Sequence, residues 1–275
     1  MNGASQGVNG PRGAISRRTV VLSAAGFDPS SGAGVSADLK VFAAHGLYGV
    51  LAITALTVQS TQGVREVVPV SGKLFRHTLE CLAEDVTIAG VKIGMLGSAE
   101  IAGELAYFLR HATVPRENIV LDPVLVSSSG APLLDPDGVR LLRDDLLPLV
   151  GWVTPNLDEL AALTGEPVAM RDKIPRLAAK LAGLAPGLNV VATGGHLEAP
   201  DDFLRTASGE EVWIPGRRVE TTSSHGTGCV FSSALLCRLV AGDTPVDAVR
   251  GAKAFVTHAL ETAVPIGKGK GPLLS

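Results

Sequence analysis

Short runs rich in valine, isoleucine and leucine punctuate the chain: TVVLSAA, GVLAITALTVQ, VKIGM, NIVLDPVLV, WVTPN and NVVAT. Each precedes a stretch whose apolar residues recur with helical spacing. This alternation is the strongest constraint on the fold, because a strand that returns through a helix lies parallel to its predecessor and is covered on both faces. The expected architecture is an α/β protein, a three-layer α/β/α sandwich with a mostly parallel central sheet. In an open sheet of that kind the loops after the carboxyl ends of the strands carry the site. One segment breaks the alternation. DFLRTASGEEVWIPGRRVE reads as two short alternating strands joined at Ser208-Gly209, a hairpin.

A chain of 275 residues with 46% hydrophobic content can bury one large core, so a single domain is expected over residues 19–265. The polar, glycine-rich stretch MNGASQGVNGPRGAI predicts a mobile N-terminal tail over 1–18, and GKGKGPLLS a loose C-terminal tail over 266–275. The formal net charge of -3 arises from acidic and basic residues spread along the chain, which argues against a nucleic-acid or anionic-membrane partner and for a small molecule. Cys81, Cys229 and Cys237 form no metal-type pair, and an odd count of thiols fits a reducing, cytoplasmic setting. The histidines show no metal-binding spacing. SRRTVVLSAAG carries two arginines before an apolar run, but the run is too short for an export signal and Asp28-Pro29 follows it. No apolar stretch reaches the roughly 20 residues of a membrane span.

Several motifs carry both a functional and a purely structural reading. Gly32-Ala33-Gly34-Val35-Ser36-Ala37 matches G-x-G-x-x-A, yet GFDPSS separates it from its strand and the next strand ends TVQS without a ribose-binding acid. The glycines instead suggest backbone lying close to a substrate, with Asp38 and Lys40 behind. Gly226-Thr227-Gly228-Cys229, at a helix start, can surround an anion with backbone N–H groups, or it can be a glycine-rich cap whose Cys229 is simply a small buried residue. Asn156 and Glu159 fall on one helical face within reach of a hydrated Mg2+, or form a helix cap. Asp122 ends a strand, where a metal-facing carboxylate is useful and where Asp-Pro turns are common. Gln59 ends another strand, and its amide can pair with a flat heterocycle.

Taken together, GFDPSSGAGVSADLKVFAAHG, ITALTVQSTQGV, VKIGMLGS, VLDPVLVSSSG, TPNLDELAALTG and HGTGC resemble the hydroxymethylpyrimidine and phosphomethylpyrimidine kinases of thiamine synthesis, within the ribokinase-like superfamily. The match runs in order from about Val20 to about Leu260. The resemblance implies a cytoplasmic homodimer that moves the γ-phosphoryl of ATP, with Mg2+, to 4-amino-5-hydroxymethyl-2-methylpyrimidine and then to its monophosphate. It implies a pyrimidine pocket of Gly26, Asp38, Gln59, Met95 and Val124, with Gln59 on the aminopyrimidine edge. It places Asp122 and Glu159 at the metal, and Asn156, Thr193 and Gly195 at the nucleotide. The anion hole would be Gly226, Thr227 and Gly228, and the base Cys229.

A primary alcohol loses its proton as it attacks phosphorus, and a helix N-terminus lowers a thiol's pKa, so Cys229 is expected to hold a useful thiolate fraction. The family usually has lysine where this chain has Thr193, which removes a cation from the phosphates; Lys92 is one candidate to replace it. Two other readings compete. One is a pyridoxal kinase of the same branch, and the other a catalytically weak pyrimidine-binding protein.

Overall fold

The computed structural model describes residues 18–127, 130–167, 170–195, 197 and 199–274. The expected N-terminal tail, apart from Arg18, lies outside the described residues, as does His196.

Six strands run parallel: β1 (Val20–Phe27), β2 (Tyr48–Ser60), β4 (Ile88–Ile93), β5 (Ile119–Leu121), β6 (Trp152–Val153) and β7 (Asn189–Ala192). Antiparallel strands close both edges, with β3 (Gly63–Pro69) beside β2, and β8 (Asp202–Arg205) and β9 (Glu211–Ile214) beyond β7. The spatial order is β3-β2-β1-β4-β5-β6-β7-β8-β9. The central parallel strands are largely apolar on both sides because both sides are covered. On β1, Leu22 and Ala24 face a layer of α2 (Gly72–Asp85), α3 (Ala99–His111), α4 (Pro136–Leu141), α5 (Leu157–Thr164) and α6 (Ile174–Ala182). Val21 faces the opposite layer of α1 (Gly34–Ala44), α7 (Thr227–Val240) and α8 (Pro245–Thr262).

The sandwich and the β8–β9 hairpin are as the sequence predicts, with Gly209 turning at φ +91°. A second hairpin is new. The run through Gln59 does not lead straight into a helix; it turns at Ser60–Gly63 into β3, whose residues are largely exposed and so lack the buried, apolar signature of a strand. The C-terminal segment also corrects the expectation of a loose tail. Gly271, Pro272 and Leu273 are buried, the His225 and Gly271 N–H groups donate to Gly271 and Thr222 carbonyls at 3.0 Å each, and Lys40 Nζ donates to the Leu274 carbonyl at 2.7 Å. The apolar Pro272-Leu273 pair supplies the burial that holds it.

β1 has β2 on one side and β4 on the other, so the chain reverses its direction of winding there. A crevice forms at such a switch point, outside the carboxyl ends of the strands.

Candidate active site

The crevice is a cavity of about 740 Å³, within the range of small-molecule sites. Gly26 and Met95 enter it from the ends of β1 and β4, Asp122 and Val124 from beyond β5, Asn156 and Glu159 from the start of α5, and Thr193 and Gly195 from beyond β7. Gln59 reaches in from the β2–β3 hairpin, and Gly226, Thr227, Gly228 and Cys229 from the start of α7. The structure thus gathers the expected residues into one space, with one exception. Asp38 does not line the cavity; it is fully buried beneath it.

Asp38 belongs to a polar layer between the sheet and the α1/α7 layer. Its carboxylate accepts from Ser23 Oγ at 2.6 Å and Ser233 Oγ at 2.8 Å, and pairs with Lys92 Nζ at 3.0 Å. Lys92 sits on β4 with its side chain wholly enclosed, so it is not free to reach a nucleotide. Burial opposes its charge, but Asp38, Cys229 and Asp122 together more than offset that cost and raise its pKa. Lys92 is therefore ruled out as the candidate to replace the cation lost at Thr193: its charge is committed to the layer below the site.

That layer sets the state of Cys229. Desolvation pushes the thiol up to about 11, and the Asp122 and Asp38 carboxylates add to the rise; Lys92 and the Gly34 N–H oppose it. The direction is opposite to the lowered pKa expected at a helix start, because removal of water outweighs the opposing Lys92 ammonium and Gly34 N–H.

The bowl at the start of α7 depends on Gly226. Gly226 has φ +86°, and a Cβ there would overlap the Gly32 carbonyl. A Cβ on Gly228 would come within 3.6 Å of Asp122 Oδ2, so the bowl's floor faces that carboxylate. Ser232 Oγ, one turn along, lies 3.2 Å from Asp122 Oδ2 and 2.9 Å from the Gly228 carbonyl. Ala33 and Gly34 of the Gly32–Gly34 run line the cavity, and the run also packs closely within the protein. Its glycines let protein approach protein: Gly34 at φ +58° lies against the Gly26 carbonyl, and Gly32 against the His225 ring.

At the start of α5 the capping reading holds in full. Asn156 Oδ1 accepts the Glu159 N–H and Glu159 Oε2 accepts the Asn156 N–H, both at 2.9 Å. Both residues still line the cavity. Burial, with the nearby Asp122 charge, pushes the Glu159 carboxyl up to about 8, and burial also raises Asp122. Two acidic groups that cannot both shed their protons cheaply suit a hard cation that keeps most of its water. Among the described residues no cluster of three His, Cys, Asp or Glu forms a fuller coordination cage. Thr193 lies beside this cap, its N–H donating to the Pro155 carbonyl at 2.9 Å.

Three further residues at the site have no role assigned from the sequence, although Asp28 and His225 fall within the quoted motifs. Asp28 accepts from Ser30 through Oδ1, and from the Gly32 and Ala33 N–H groups and His225 Nε2 through Oδ2, at 2.7–3.2 Å. Burial alone would raise its carboxyl, but hydrogen bonds from His225 and Ser30 outweigh burial and hold it below the usual range. His225 itself stands one residue before the bowl and meets Gln59. Lys270, in the segment expected to be loose, lines the same cavity.

The phosphomethylpyrimidine kinase family model matches residues 28–274. The hydroxymethylpyrimidine/phosphomethylpyrimidine kinase of Haemophilus influenzae is 42% identical over 258 residues, covering 92% of this chain and 94% of that one. A phosphomethylpyrimidine kinase crystal structure from Clostridium difficile superposes with TM-score 0.77 at 34% identity, covering 88% of this chain and all of that one. The pyridoxal kinase of Staphylococcus aureus bound to pyridoxal superposes with TM-score 0.82 at 28% identity, covering 93% and 92%. With a family model spanning nearly the whole chain and a bowl, thiol and paired carboxylates meeting in one crevice, this chain belongs to the phosphomethylpyrimidine kinase family.

Proposed function

We propose that the chain transfers the γ-phosphoryl group of ATP to 4-amino-5-hydroxymethyl-2-methylpyrimidine and then to the resulting monophosphate, with Mg2+, in thiamine biosynthesis. The observation that carries this reading is the meeting of the Gly226–Gly228 N–H groups, the Cys229 thiol and the Asp122 and Glu159 carboxylates in one cavity. Phosphoryl transfer needs positioning and charge stabilisation more than covalent help, and this arrangement supplies both. The bowl would hold the migrating phosphoryl oxygens, Asp122 and Glu159 would hold the metal, and Asn156, Thr193 and Gly195 would flank the nucleotide. When bound, Mg2+ neutralises charge on the ATP phosphates. Gly26, Gln59, Met95 and Val124 receive the acceptor ring, and Cys229 Sγ takes the proton of its hydroxyl. Asp38 acts from beneath, holding Lys92 under the thiol.

We further read the protein as a cytoplasmic homodimer. Phe27, Leu56, Val58 and Val68 are exposed along β1 and the adjoining β2–β3 hairpin, with Leu56 paired to Phe27 and Val68. An apolar face of this kind suits a second copy. Free thiols at Cys81, Cys229 and Cys237 suit a reducing compartment, and no helix among the described residues is long and apolar enough to cross a membrane.

ADP release from Mg-ATP, measured with the pyrimidine alcohol, its monophosphate and pyridoxal as acceptors, tests the assignment. Turnover of both pyrimidines, yielding the diphosphate, is expected. Preference for pyridoxal, favoured by the S. aureus likeness, would transfer the assignment to that vitamer. Calorimetric binding of the pyrimidine with no ADP formed would leave only a binding protein.

A further inference from the structure

We infer that His225, braced by Asp28, is a positioning residue that fixes which way the Gln59 amide faces, and through it the register of the aminopyrimidine ring; this rests on the reading of Gln59 as the ring's contact. The His225 side chain is 12% exposed, its ring lies against Gly32, and the residue's backbone N–H donates to the Gly271 carbonyl at 3.0 Å. Its Nε2 stands 2.8 Å from Asp28 Oδ2. That oxygen also takes the Gly32 and Ala33 N–H groups, at 3.2 and 2.9 Å, so every partner of the ionised carboxylate must be a donor and Nε2 carries the proton.

The consequence falls on Gln59. Its Nε2 is placed 3.0 Å from the same histidine nitrogen, an arrangement in which two donors would face each other. The two ends of an amide have the same shape, and the hydrogen-bond network decides between them. Turned by 180°, Gln59 places its oxygen where it shares the one His225 Nε2–H with Asp28 Oδ2 in a three-centre bond, and offers its NH2 group to Thr57 Oγ1, 3.2 Å from the amide. Thr57 is free to accept, since its own proton goes to the Phe27 carbonyl at 3.0 Å. This orientation gives every hydrogen an acceptor. It also leaves the amide one N–H and one oxygen lone pair, the complement of a ring nitrogen beside an exocyclic amino group.

The test uses His225→Ala, Gln59→Ala and the double variant, with KM measured separately for the pyrimidine alcohol and for ATP. Each single change is expected to raise the KM for the alcohol about tenfold and to leave that for ATP within about twofold, magnitudes typical of one lost recognition contact. The double variant should match Gln59→Ala alone, because His225 acts through the amide. His225→Gln, which keeps an N–H at similar reach, should restore most of the loss. If Gln59→Ala leaves the KM unchanged, the reading of Gln59 as a ring contact falls. If Gln59→Ala raises it but His225→Ala does not, or if the two effects multiply, the role of His225 falls and that of Gln59 stands. Nitrogen-15 NMR of the histidines in the unaltered protein gives a readout that needs no variant to fold: a neutral His225 protonated at Nδ1 overturns the inference, and one protonated at Nε2 supports it.

Discussion

A thiol at about 11 makes a sharp kinetic demand if it is the base for the alcohol. At pH 8 the thiolate fraction is about one in a thousand, and it grows about tenfold with each pH unit until pH approaches the pKa. The rare thiolate is a strong base, so the step proceeds, but kcat/KM for the alcohol should climb with a slope near one from pH 7 to 9.5, about 300-fold in all. The monophosphate differs. Its attacking oxygens have shed their protons above the phosphate pKa of about 6 and need no base. Titration of the Asp122 and Glu159 pair affects both acceptors through the metal and nucleotide, so the alcohol-to-monophosphate ratio of kcat/KM cancels it and isolates the thiol. ADP release measured for the two acceptors across that range, at saturating Mg-ATP, gives the ratio directly. Cys229→Ala should abolish the rise and cost the alcohol well over tenfold while leaving the monophosphate within about threefold, a difference of ~0.7 kcal/mol. A ratio that levels off below pH 9, or that rises equally in Cys229→Ala, refutes the assignment of the base.

Lys92→Met leaves Asp38 charged without its buried partner and should lower unfolding free energy by about 3–5 kcal/mol in urea titration, with Lys92→Met/Asp38→Asn losing less than Lys92→Met alone. The Glu159 carboxyl, raised in the folded state to about 8, binds its proton more tightly there than in the unfolded chain. Its contribution to stability is therefore complete below the unfolded pKa of about 4.3 and is lost as pH rises through about 8. Without added Mg2+, melting temperatures should decline across that window, and Glu159→Gln should flatten the decline. Thr193→Lys should lower the KM for ATP by about tenfold, or ~1.4 kcal/mol, by restoring a cation beside the phosphates; an unchanged or higher KM would place the nucleotide differently. Lys270 lines the cavity beside the His225 segment, with no ion-pair partner shown among the described residues. Lys270→Ala should raise the KM for the monophosphate more than that for the alcohol, and equal effects would argue against a phosphate contact.

What the sequence disclosed and what it withheld divide along a physical line. Strand–helix alternation is a local, repeated signal, so the parallel layers and the switch-point crevice follow from it, and the residues at strand ends, Gly26, Met95, Asp122 and Asn156, arrive together as a matter of topology. The β2–β3 hairpin was not legible because an exposed edge strand has no buried face to impose a period. The docked C-terminus was not legible because glycine and lysine are common in tails, and only Pro272 and Leu273 hint at burial. Asp28 and His225, 197 positions apart, meet only through three-dimensional closure. The hardest quantity to foresee was the state of Cys229. Its place at a helix start is written in SHGTGC, and a dipole there lowers a thiol's pKa by a general rule. Whether the rule prevails depends on what lies underneath, and the answer comes from Asp38 on α1, Lys92 on β4 and Asp122 beyond β5, none of them near it in sequence. Those charges oppose one another, so desolvation decides the sign. The same layer shows why a cation belongs there at all: without Lys92, Asp38 and Asp122 would lift the thiol further still, so the ion pair that confines this lysine is also what limits the rise of the Cys229 thiol.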